Sequence, residues 1–95
     1  MQRAAVIIKN SDQQYEGLRL CVGLLLNGVN VEMFVLHNEI ACMDEAYRDN
    51  MEFADEMNGA RFSNNATNVE EYGFRHVTLT EVAGRLAKAD VVIPL

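Results

Sequence analysis

Few side chains in this sequence have the chemistry of a reaction centre, and the two cysteines come first because only a thiolate here would be a strong nucleophile. Apolar periodicity predicts a helix from about Glu39 to Met57, which puts Cys42 in its first turn or so. Aligned peptide dipoles there lower a thiol pKa and raise the thiolate fraction. The competing reading of Cys42 is a small, semi-buried helix residue beside Met43. Cys21 shares a helical face with Leu18, Val22 and Leu25, so it reads as core. The pair shows neither the density of a disulfide scaffold nor C-x-x-C spacing, and reduced thiols follow.

His37 follows a predicted strand, where an imidazole can shuttle protons or bind a ligand, or simply satisfy loop hydrogen bonds. His76, His37 and Glu39 do not form a metal spacing such as H-E-x-x-H, so no metal site is expected. Ser11 and Asp12 end the first strand and can bind a small ligand or cap the next helix, with capping the simpler role. The same strand is followed by Asn-Ser-Asp-Gln-Gln instead of a glycine-rich phosphate loop, which weighs against a nucleotide or flavin module and implies no cofactor. Asp44, Glu45, Asp49, Glu52, Asp55 and Glu56 read as the solvated face of the second helix.

These residues need elements to position them. The run Ala4 to Ile8 suits a strand covered on both faces, and Asn10, Ser11 and Asp12 break it. Tyr15 to Leu26 has helical periodicity and stops at Asn27-Gly28. Val29 to Leu36 reads as a second buried strand, Asn38 as the cap of the helix to Met57, and Asn58-Gly59 as its stop. Beyond it come a short strand at Ala60 to Ser63, a polar loop at Asn64 to Asn68 and a helical turn at Val69 to Tyr72 closed by Gly73. Phe74 to Leu79 reads as a strand, Thr80 with Glu81 starts a helix through Val82, Leu86 and Ala87, and Val91 to Leu95 is a last strand. Strands alternating with helices over short connections predict an α/β fold, a small three-layer sandwich with a four- to five-stranded, mainly parallel sheet of flavodoxin-like type. Reactive groups then gather at the carboxyl ends of the strands, near Asn10 to Gln14, His37 to Glu39 and Ser63 to Gly73.

At 95 residues, one domain spanning 1–95 is expected, with apolar residues at 49% offsetting chain entropy. The net charge of −6 repels phosphate backbones, and the eight Lys and Arg are scattered singly along the sequence, so nucleic acid is not an expected partner. No stretch is long and apolar enough for a membrane span or signal-peptide core, which predicts a soluble, cytoplasmic protein. Met33, Met43, Met51 and Met57 can fill the core or furnish an adaptable subunit contact. Burial between subunits would add to a modest core, so a homo-oligomer is expected.

The order of elements, with Ile7-Ile8-Lys9-Asn10-Ser11-Asp12 leading into Tyr15-Glu16-Gly17-Leu18-Arg19-Leu20 and ending at Leu25-Leu26-Asn27-Gly28, resembles the DsrE/DsrF/TusD-like sulfur-relay family. Val31-Glu32-Met33-Phe34-Val35-Leu36 looks like its second strand, and Thr78-Leu79-Thr80-Glu81-Val82-Ala83 through Ala89-Asp90-Val91-Val92-Ile93 like its closing helix and strand. The resemblance implies a small subunit of homo- or hetero-oligomers, some of which pass persulfide sulfur through one cysteine after the third strand. That cysteine precedes a short helix ending in Arg-Gly. With Gly73 matched to that glycine, Tyr72 stands at the arginine and Asn65 at about the sulfur-carrying position. An asparagine amide cannot hold a persulfide. The resulting expectation is a non-catalytic or accessory DsrE-like oligomer, paired with sulfur-relay proteins or holding a small ligand in a pocket of Asp12, His37, Asn38 and Asn65. The alternative is a sulfur carrier or sulfurtransferase using Cys42.

Overall fold

The apolar run near the start of the chain is a buried strand, as its composition requires: Ala4, Ala5, Val6 and Ile8 are almost wholly shielded from solvent. The computed structural model describes residues 2–95. Its elements run β1 (Arg3–Ile8), a 3-10 turn (Ser11–Gln13), α1 (Gln14–Leu26), β2 (Asn30–Val35), α2 (Glu45–Glu56), β3 (Ala60–Ser63), α3 (Ala66–Tyr72), β4 (Arg75–His76), α4 (Leu79–Leu86) and β5 (Val91–Pro94). All strand pairs are parallel, in the order β4-β3-β2-β1-β5. The protein is an α/β sandwich with four helices flanking a five-stranded, all-parallel sheet.

This order fixes the layers. The chain steps one way from β1 to β4 and then returns past β1 to β5, so right-handed crossovers place α1, α2 and α3 on one face and α4 on the other. The two hydrophobic clusters agree. One joins Leu18, Cys21 and Leu25 of α1 to Tyr47, Met51 and Ala54 of α2 over Val6, Ile8, Met33 and Val35. The other sets Val82 of α4 against Ala5, Phe34, Phe62 and Val77. Gly17 lets α1 lie close on β1, since a β-carbon there would stand 2.6 Å from Ile8 Cγ1.

All four helix starts differ from the sequence expectation, and α3 begins at Ala66, inside the expected polar loop, rather than at Val69. Ser11 and Asp12 lie within the 3-10 turn, and neither Asn10 nor Gln13, the N-caps of that turn and of α1, makes a side-chain capping hydrogen bond. The second helix starts at Glu45, six residues after the expected Glu39, and its cap is Asp44 rather than Asn38; Asp44 Oδ1 accepts from the Tyr47 N–H at 2.9 Å. α4 starts at Leu79, where Thr78 and Glu81 form a reciprocal capping box. Among the described residues, no helix is long and apolar enough to cross a membrane.

Candidate functional site

The carboxyl edge of the sheet is organised by side-chain amides. β2 runs on through Leu36, whose N–H donates to the Ile8 carbonyl at 3.0 Å, and the chain then reverses at His37 with φ of +74°. That left-handed conformation costs a non-glycine residue energy, and it is held because the Asn64 side-chain oxygen accepts the His37 N–H at 2.7 Å. The residues after it are stapled down in turn. Gln14, the first residue of α1 and nearly buried, accepts from the Ala41 N–H at 2.9 Å and donates to the Glu39 carbonyl at 3.0 Å. Asn38 reaches across to donate to the Lys9 carbonyl at 2.7 Å.

Asn68 lies at the centre, on α3, with no exposed surface. Its oxygen accepts from the Ile40 N–H at 2.9 Å, and its amide nitrogen donates to the Asn38 carbonyl at 3.0 Å and to Ser63 Oγ at 3.1 Å. Ser63, also wholly buried, accepts from the Asn65 N–H at 3.0 Å as well. Burial of so polar a group is tolerable because every polar atom of the Asn68 side chain is partnered. With these backbone groups of residues 37–41 partnered by side chains, that stretch is held without a helix, and Ile40 is buried from a loop position rather than a helical one.

The expected pocket residues therefore have identifiable tasks. Asn65 is the N-cap of α3, its side-chain oxygen accepting from the Asn68 N–H at 3.2 Å. Asn38 is half-buried in the staple, and the His37 side chain is exposed above it. The structure thus brings His37, Asn38 and Asn65 into one hydrogen-bonded edge around Asn68. Asp12 is exposed in the 3-10 turn, with no side-chain hydrogen bond to that edge among the described residues. The sequence places Gln14, Ser63, Asn64 and Asn68 in the loops at the carboxyl edge without singling them out as site residues. The run Ser63-Asn64-Asn65 with Asn68 three residues on was the available signal, being too polar for a core and too short for a solvated helix face.

Cys42 corrects the sequence expectation. Because α2 begins at Glu45, Cys42 lies outside the helix, exposed, with Sγ 3.5 Å from Asp44 Oδ2. The carboxylate that caps the helix faces the thiol as well, and its hydrogen bond and charge push the Cys42 pKa up, the reverse of activation. Cys21 is core as expected, and burial pushes its thiol up to about 12. Among the described residues, no group of three or more His, Cys, Asp or Glu side chains is placed to hold a metal ion.

Concave space opens at the opposite, amino edge of the sheet. A cleft of about 360 Å³ is lined by Arg3, Asn30, Glu32, Asn58, Arg85 and Lys88 among others. A second of about 440 Å³ shares Asn58 and Ala60 with it and adds Asp55, Arg61 and Arg75. A scan against protein-family models found no match to this chain, and a search of curated proteins found none.

Proposed function

We propose that this chain is a non-catalytic, accessory protein of the DsrE-like sulfur-relay type that works as an oligomer and engages partners without carrying sulfur itself. The observation that carries this reading is the state of Asn65. Where the family resemblance puts a sulfur-carrying cysteine, this residue is a helix cap whose oxygen is bonded to the backbone of α3. Persulfide transfer needs a polarizable thiolate that attacks a sulfane sulfur and later releases it to an acceptor. An amide offers no such electron pair.

A competing reading, a carrier that uses Cys42, draws on two facts: the sulfur is exposed, and its loop is tied to α3 through the Ile40 to Asn68 hydrogen bond. Against it stands Asp44, which disfavours the thiolate. Incubation with a cysteine desulfurase and free cysteine, followed by intact-mass and peptide mass spectrometry, separates the two. The accessory reading expects the mass unchanged, and a gain of one sulfur atom on Cys42 overturns it.

Self-association belongs to the same reading. Leu26 and Phe53 are exposed at 64% and 43%, and with Val22 they form a shallow apolar groove between α1 and α2. A second copy of this chain is the occupant we assign, as burying such side chains would add to the modest core of a small domain. Sedimentation velocity is expected to give a mass above the 10.7 kDa of one chain, with Leu26→Lys returning the monomer. A monomeric parent protein contradicts this part of the reading.

A further inference from the structure

The amino edge of the sheet carries an inference beyond the accessory role. The fold gathers there what the sequence scatters. Five of the eight Lys and Arg residues line the two adjoining clefts, against two of the fourteen carboxylates. The rest of the chain keeps three cations and twelve carboxylates, a formal charge of −9 around a +3 edge. Within this edge, Arg61 is already committed. It pairs with both oxygens of Asp55 at 2.8 Å and donates to the Tyr72 carbonyl at 3.0 Å. The side-chain charges of Arg3, Arg75 and Lys88 have no carboxylate within ion-pair distance among the described residues, the nearby Asp90 carboxylate accepting from the Arg3 backbone N–H at 2.8 Å.

Arg85 is the built part of the first cleft. Its guanidinium lies 4.3 Å above the centre of the Phe62 ring and bonds Glu32 at 2.6 Å, so its plane is held by one stacking and one ionic contact, while its other N–H donors have no partner among the described residues. Peptide dipoles at the end of α4 account for cations in its last turn and just beyond, at Arg85 and Lys88. They do not account for Arg3, which comes from the start of β1 and is bonded through its backbone to Asp90, shortly after α4. Three cations against Glu32 leave this cleft a formal +2. Asn30 and Asn58 add neutral donors and acceptors beside them.

We propose that the cleft bounded by Arg3, Arg85 and Lys88 binds a small phosphate monoester. A monoester carries a charge of about −2 near neutrality, which complements that lining. A fixed guanidinium grips phosphate oxygens in the manner arginine does best. The cleft volume, about 360 Å³, is at the small end of ligand sites, suited to a phosphorylated sugar more than to a dinucleotide. The surrounding −9 surface opposes a polyanionic strand while leaving room for one small dianion.

The test is a titration of the 15N-labelled protein with ribose 5-phosphate at low ionic strength, followed by amide chemical shifts. Saturable shifts are expected at Asn30, Asn58 and Lys88, weaker ones at the same residues with inorganic phosphate, and none with ribose. Arg3→Gln and Lys88→Gln, both exposed and dispensable to the core, are expected to weaken binding together by about tenfold. Glu32→Gln is expected to tighten it several-fold, because it removes the carboxylate found among the described lining residues and frees Arg85; a residue of purely structural role would not do this. The proposal is overturned by an absence of shifts at millimolar ligand, by shifts centred on residues 37–41 and 64–68, by affinities indifferent to these charge changes, or by a single-stranded oligonucleotide binding this edge more tightly than the monoester.

Discussion

The two edges of this sheet handle their polar groups in opposite ways. At the carboxyl edge, Gln14, Asn38, Asn64, Asn65 and Asn68 spend side-chain hydrogen bonds on backbone N–H and carbonyl groups, and the loop from His37 to Asp44 is held without a helix. At the amino edge, the side chains of Arg3, Arg75 and Lys88 have no ion-pair partner among the described residues and line open clefts. Parallel α/β sheets usually place their ligands at the carboxyl edge. Here the side-chain amides of that edge are bonded to backbone, while the clefts lined by cations lie at the other edge. The lesson is that a topology names the loops where a site tends to form, whereas the hydrogen-bond inventory of those loops decides whether one does.

The contrast is best broken at its centre. Asn68→Leu would leave the Ile40 N–H and the Asn38 carbonyl without their partner in a buried place, at a cost of about 3 kcal/mol. The matching change at the amino edge, Arg85→Gln, removes a half-exposed ion pair and should cost under about 1 kcal/mol. Urea denaturation of both variants compares them, and equal losses would erase the distinction between a structural and an available edge.

A smaller effect is expected at the start of α4. Thr78→Ala removes the capping box, at about 1 kcal/mol in thermal or urea unfolding. The Glu81 carboxylate accepts from the Thr78 N–H at 2.9 Å, and this bond, with that from the Thr78 side chain, holds its pKa below the ordinary carboxylate value. A carboxyl lowered in the folded state stabilises it above the unfolded-state pKa, and that contribution is lost as pH falls through the folded-state value. Stability should therefore decline on acidification through the carboxylate range, with a shallower slope in Glu81→Gln.

Much of the architecture was legible because it rests on hydrophobic period. The run Ala4 to Ile8, the helical spacing of Leu18, Cys21 and Leu25, and Gly73 closing α3 at φ of +73° all stand as read. The start of α2 was not legible, because Ile40 and Met43 extend the helical period of Tyr47, Met51 and Ala54 backward. Ile40 is buried by a tertiary contact to Asn68, twenty-eight residues away, and local sequence holds no record of that. The clustering of cations was hidden for a similar reason: Arg3, Arg61, Arg75, Arg85 and Lys88 meet only when the strand starts line up. The cysteine environment followed from the same error, since a helix starting at Glu39 would have put Cys42 over peptide dipoles where it instead faces Asp44.

The smallest effect concerns that thiol. Iodoacetamide should label Cys42 slowly and reach Cys21 only on unfolding, since one is exposed and the other buried. Asp44→Asn should lower the Cys42 pKa toward that of an ordinary thiol and raise its labelling rate at neutral pH. A rate that does not respond would mean that the carboxylate does not govern the thiol.

The closed state of the carboxyl edge is tested most directly by amide hydrogen exchange at Ile40 and Ala41, whose N–H groups are bonded to the side-chain oxygens of Asn68 and Gln14. Both are expected to exchange far more slowly than an unstructured chain, and Asn68→Leu to abolish the protection at Ile40. Exchange of these two amides at unprotected rates in the parent protein would contradict the account, because the loop would then be open and the edge available.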